Sequence, residues 1–192
     1  MIGLLTLLGC SSKTFTEGSN AATRPGNSQQ APDGKSNHAA SSKSSSSAEV
    51  KLIVADERQF QEVVDGHRGK VVLVDFWATW CLTCVEHFPE TVKLHNEHAT
   101  DGLAVVTVSF DSLDERAAVE EFLKHAEASK LDNLLSKYDG VGTEVPKAFG
   151  FEGVLPHYRL YDRTGKLRYL WDEPPADLKE KVAELLAEKP GE

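Results

Sequence analysis

Residues 71–84 read Val71-Val72-Leu73-Val74-Asp75-Phe76-Trp77-Ala78-Thr79-Trp80-Cys81-Leu82-Thr83-Cys84. The continuous apolar run at its head predicts a strand buried on both faces of a sheet. The two cysteines at its end lie three positions apart, and Val85, Phe88 and Val92 follow at helical spacing. A helix is therefore expected to start at the cysteine pair. Cys81 then sits beside unpaired backbone N–H groups, at the positive end of the helix dipole. That environment favours thiolate over thiol. Cys81 is the expected nucleophile, and Cys84, one turn further in, the thiol that resolves a mixed disulfide.

Outward from this stretch the pattern alternates. Val50 to Ala55 reads as a short strand, and Asp56 as the cap of a helix whose apolar face is Phe60, Val63 and Val64. Leu103 to Phe110 reads as a second buried strand. Ser112 and Glu115 have capping-box spacing ahead of Val119, Phe122, Leu123 and Ala126. Tyr158 to Tyr161 and Leu167 to Trp171 read as a hairpin around Asp162–Gly165, and Leu178, Val182, Leu185 and Leu186 as the stripe of a closing helix. No element is assigned between Leu131 and Phe149. The order βαβαβα-ββα calls for an α/β fold with a central mixed sheet covered on both faces.

The 192-residue chain is long enough for one domain and a tail. The net charge is −9, and the first 47 residues hold four basic and two acidic side chains, leaving about −11 on the rest. So acidic a domain lacks the clustered Lys and Arg that nucleic-acid phosphates require. Three cysteines, Cys10, Cys81 and Cys84, cannot make a disulfide framework. Residues 11–47 are rich in Ser, Asn, Ala and Gly, with Phe15 the one large apolar side chain, and are expected to be a disordered linker. The domain proper is expected to span 48–192.

Leu7-Leu8-Gly9-Cys10 resembles a bacterial lipobox, in which the cysteine is acylated after cleavage in front of it. That resemblance makes 1–10 a lipoprotein signal segment and Cys10 the lipidation site. The protein would then be held to the membrane by lipid alone, facing the periplasm of the bacterial cell envelope, with the linker as tether.

Asp75-Phe-Trp-Ala-Thr-Trp-Cys-Leu-Thr-Cys84 resembles the active-site strand and turn of thioredoxins and of TlpA-like envelope thiol–disulfide oxidoreductases. The likeness extends from Val50 to about Glu188 and includes Pro89, where the family kinks its active-site helix. It implies the thioredoxin fold, with an insertion before the cis-proline strand. It implies a redox disulfide between Cys81 and Cys84. Asp75 matches the buried aspartate that takes a proton from the resolving thiol. Pro156 matches the cis-proline facing the disulfide. Leu155 would pair its backbone with a substrate chain, and Trp80, with Trp77, would frame the site. The implied partners are protein thiols or disulfides and an upstream electron donor; no cofactor or metal is called for. Reduction of substrates is the expected direction, since Asp75 resembles that of reducing thioredoxins.

Several features depart from the family. The dipeptide Leu82-Thr83 replaces Gly-Pro, and Thr107 stands where thioredoxin has a lysine near the buried aspartate. Peroxiredoxin-like relatives also carry an insertion, but their Pro-Thr-Cys peroxide pocket is absent here. Within the class, a cytochrome c maturation reductase is the alternative. Outside it stand a non-catalytic thioredoxin-fold module and a metal carrier using Cys81, Cys84 and His87. Asp75 also reads as a strand-end residue bonded to backbone. His87 and His157 read either as groups titrating near neutrality or as solvated helix and loop residues.

Overall fold

The computed structural model describes residues 49–138 and 144–189. The chain divides into two units, Met1–Lys43 and Ser44–Glu192, and the described residues belong to the second. The expected signal segment, the linker and Cys10 lie outside the described residues.

Strand β1 (Leu52–Ala55) is followed by helix α1 (Glu57–Gly66). Asp56 caps that helix in a reciprocal box: its carboxylate accepts from the Gln59 N–H, and the Gln59 side chain accepts from the Asp56 N–H. Strand β2 (Val71–Trp77) leads into helix α2 (Leu82–His98), then strand β3 (Leu103–Ser109). The Ser112–Glu115 box is present, but it opens a short 3-10 turn, Leu113–Glu115, and the α-helix α3 runs Arg116–His125. Strand β4 (Asp132–Ser136), helix α4 (Glu144–Ala148), strands β5 (His157–Tyr161) and β6 (Leu167–Trp171) and helix α5 (Leu178–Ala187) complete the order.

The six strands form one sheet in the order β1-β4-β3-β2-β5-β6. The first four run parallel; β5 is antiparallel to β2, and β6 to β5. The sheet is mixed, as expected. Every residue of β2 and β3 is buried, which accounts for the apolar runs Val71–Val74 and Leu103–Val106 at their heads. Successive side chains alternate between two cores. Val71, Leu73 and Trp77 pack with Phe88 and Val92 of α2 and Val182 and Leu185 of α5. Val72, Val74 and Phe76 pack with Phe60 and Val64 of α1 and with Phe149 and Phe151. Asp75 falls on the first face, under α2.

Strand β4 and helix α4 occupy the region to which the sequence pattern assigned no element. Strand β4 has only two apolar residues, Leu134 and Leu135. Its buried polar residue Asn133 is held by three hydrogen bonds: Nδ2 donates to the carbonyls of Ala128 and Leu131, and Oδ1 accepts from Thr107 Oγ1 at 2.8 Å. A polar side chain satisfied in this way fits a central strand, but it hides the strand from a hydrophobic pattern.

Candidate redox site

The site is built at the carboxyl end of β2. The strand delivers Ala78-Thr79-Trp80 and then Cys81, the N-cap residue of α2. Cys81 and Cys84 are joined in a disulfide. Cys81 is 9% exposed and Cys84 1%, so an incoming group reaches the Cys81 sulfur first. Cys81 Sγ also accepts from the Cys84 backbone N–H at 3.2 Å. The same N–H is placed to receive a Cys81 thiolate once the disulfide is opened, and with the helix dipole it favours that anion. Pro89 lies within α2, as expected.

Asp75 is buried, 1% exposed. Its Oδ2 accepts from Thr91 Oγ1 at 2.7 Å, and its Oδ1 has no hydrogen-bond partner. Burial pushes its pKa up from 3.8 to about 7, against a smaller lowering from the Thr91 hydroxyl. Among the described residues no backbone group holds the Asp75 side chain. Thr91 follows Cys84 by seven residues, two helical turns, and both are on the buried face of α2. Thr107, paired across the strands with Asp75, gives its hydroxyl to Asn133 instead. Tyr158, paired with Asp75 on the other side, is buried, and burial together with the Asp75 charge raises its pKa.

The peptide bond Leu155–Pro156 is cis. The β2–β5 register pairs Phe76 with His157, so Pro156 lies at the same end of the sheet as the Ala78–Cys81 turn. Leu155 packs against both cores, and Cys81 and Cys84 belong to the first. Trp80 is 53% exposed, Leu82 72% and Val154 71%; these are the most exposed large apolar residues among those described, and all flank the cysteine pair or the cis-proline. Trp77 belongs to the core, with its ring 4.6 Å from Phe88 and 4.7 Å from Phe122.

One buried group of the site left no signal in the sequence, and the loop reading of a second is corrected. Asp111, just beyond β3, is fully buried. Its carboxylate accepts from the Thr79 backbone N–H at 3.0 and 3.1 Å, from the Thr79 hydroxyl, and from Ser109 Oγ at 2.6 Å. It thus ties down the turn that carries Cys81. The other is His157, which is neither solvated nor in a loop. It opens β5, fully buried, with Nδ1 2.7 Å from Asp172 and Nε2 accepting from Arg159 Nε at 3.1 Å. His87, by contrast, is half-exposed, 3.9 Å from Glu90. Among the described residues no three Cys, His, Asp or Glu side chains converge as a metal site.

The sequence profile of the Redoxin family matches residues 27–186. The chain belongs to the Redoxin family. Among curated relatives, it is 51% identical over 47 residues to the thioredoxin-like protein YneN of Bacillus subtilis, covering 24% of this chain and 27% of that one. It is 30% identical over 100 residues to the thiol-disulfide oxidoreductase ResA of Bacillus thuringiensis, covering 52% and 53%. The Redoxin chain therefore spans between a quarter and about half the length of these relatives. A thiol-disulfide oxidoreductase from Bacteroides fragilis superposes with a TM-score of 0.51 at 28% identity, over 62% of this chain and 82% of that one. The thioredoxin domain of a thiol-disulfide oxidoreductase from Bacteroides vulgatus gives 0.53 at 25% identity, over 64% and 83%. The fold of this Redoxin-family chain is the thioredoxin fold.

Proposed function

We propose that this protein is a thiol–disulfide oxidoreductase that reduces protein disulfides. The observation that carries the reading is the disulfide at the head of α2, with one sulfur accessible and the other sealed beneath it. Opened by an upstream dithiol donor, the pair holds two electrons for transfer. The Cys81 thiolate attacks a substrate disulfide, forming a mixed disulfide and releasing one substrate thiolate, which takes a proton from solvent. Asp75, with a pKa of about 7, accepts the proton of Cys84. The Cys84 thiolate then attacks Cys81 Sγ, re-forms Cys81–Cys84 and releases the second substrate thiolate. Leu155, Pro156 and Trp80 bind the substrate chain beside this exchange. The names of the ResA relatives support the reaction class.

The place of action in this reading is the periplasmic side of a bacterial envelope, with Cys10 lipidated and residues 11–47 as the tether. The Leu7–Cys10 motif and the Ser-rich composition support it. Among the described residues no helix is long and apolar enough to cross a membrane.

Insulin reduction with dithiothreitol as donor tests the reaction. The full chain is expected to accelerate insulin precipitation and the Cys81→Ser variant to leave it at the uncatalysed rate. No acceleration by folded wild-type protein contradicts the reading. Direction is read from the Cys81–Cys84 potential: a value near thioredoxin's, about −270 mV, supports reduction, and one near about −120 mV overturns it.

A further inference from the structure

The segment 149–156 ends in the cis-proline and carries Val154 and Leu155 to the site. Two side chains of β5, Arg159 and His157, hold it. Arg159 Nη2 donates to the Phe149 carbonyl at 2.8 Å. The His157 ring stacks on Phe151, with centroids 3.8 Å apart and planes within 3°.

The two holds are joined at His157, whose other ring nitrogen meets Asp172. Arg159 has only donors, so its Nε–H must meet a lone pair on His157 Nε2. The ring proton is then on Nδ1, donated to Asp172 Oδ1. His157 is therefore neutral in this arrangement. The Arg159 guanidinium is buried and rests over the rings of Phe76 and Phe151, at 5.0 and 5.5 Å from their centroids. A second proton on His157 would point N–H at N–H and set one cation against another in an aromatic enclosure.

We propose that Arg159, His157 and Asp172 form a clamp that holds the cis-proline loop in its substrate-docking position, and that protonation of His157 opens it. His157 is thus a positioning residue for the thiol–disulfide exchange, and this role rests on the function proposed above. The charged groups acting on His157 among the described residues are Arg159 from β5 and Asp172 beyond β6; from β2 and the loop it meets the rings of Phe76 and Phe151. Burial, with Arg159, lowers the His157 pKa below its ordinary value despite Asp172. The clamp is closed at neutral pH and opens on the acid side of that value.

The test uses the full chain as wild type, His157→Gln, which retains a donor and an acceptor but does not titrate, and His157→Phe, which retains only the stack. Hydrogen–deuterium exchange of residues 149–155, corrected for intrinsic rate, reads the clamp without turnover. In wild type, exchange should rise at least about fivefold relative to β3 between pH 7 and the acid pH at which NMR shows the His157 ring protonated; in His157→Gln it should stay flat over that range, and in His157→Phe it should be fast throughout. At pH 7 the KM for insulin should be higher in His157→Phe than in wild type and His157→Gln, while the rate of His157→Phe with a small aromatic disulfide, which has no chain to dock, stays within about twofold of wild type. Equal loop protection in wild type and His157→Phe, the same pH response in His157→Gln, or an unchanged insulin KM overturns the proposal. If exchange follows the clamp but no form reduces either disulfide, the oxidoreductase reading fails and the clamp stands.

Discussion

The Thr91 hydroxyl donates to Asp75 Oδ2 at 2.7 Å, while Oδ1 of the same buried carboxyl meets no partner. One hydrogen bond does not offset the burial of a charge, and the pKa of Asp75 rises to about 7. The unfolded chain releases this proton near 3.8, and the folded chain holds it until about 7. Stability from the neutral carboxyl is fully present below the lower value and lost as pH rises through the upper one. Asp75→Asn removes that loss. Relative to wild type it should gain up to about 4 kcal/mol between pH 4 and pH 8, read by urea denaturation of the oxidised protein.

Asp111 should matter through the turn it holds. Asp111→Ala leaves the Thr79 N–H, the Thr79 hydroxyl and the Ser109 hydroxyl without their acceptor. A loss of about 3 kcal/mol or more is expected in urea denaturation. The reduced variant should also alkylate more slowly at Cys81, because the turn no longer holds the sulfur at the head of α2.

Asn133 anchors β4 between β1 and β3. Asn133→Ala should destabilise the protein by about 2–4 kcal/mol, measured the same way. Asn133→Leu should not recover this, since the Leu131 carbonyl and the Thr107 hydroxyl lose their Asn133 partner and the Ala128 carbonyl keeps only the Leu131 N–H.

Much of the fold was legible because its central strands are buried on both faces. Unbroken apolar runs such as Val71–Val74 have few other readings, and Cys81 and Cys84 mark where the next helix begins. Strand β4 was not legible, because Asn133 and Ser136 enter the core through hydrogen bonds rather than hydrophobicity. The same holds for the site. Asp75 and Pro156 stand in local motifs and were found by resemblance. Asp111 lies 32 residues from the Thr79 it positions. His157 meets Asp172 only when β5 and β6 are paired, 15 residues apart in sequence. Local spacing carries no trace of contacts that the sheet creates.

The central claim is that Cys81 attacks and Cys84 resolves. The most direct measurement is trapping with the Cys84→Ser variant, reduced and mixed with insulin, followed by mapping of the adduct by mass spectrometry. A stable mixed disulfide between insulin and Cys81 is expected, while Cys81→Ser traps none. An adduct carried by Cys84 in Cys81→Ser, with none at Cys81 in Cys84→Ser, would contradict it.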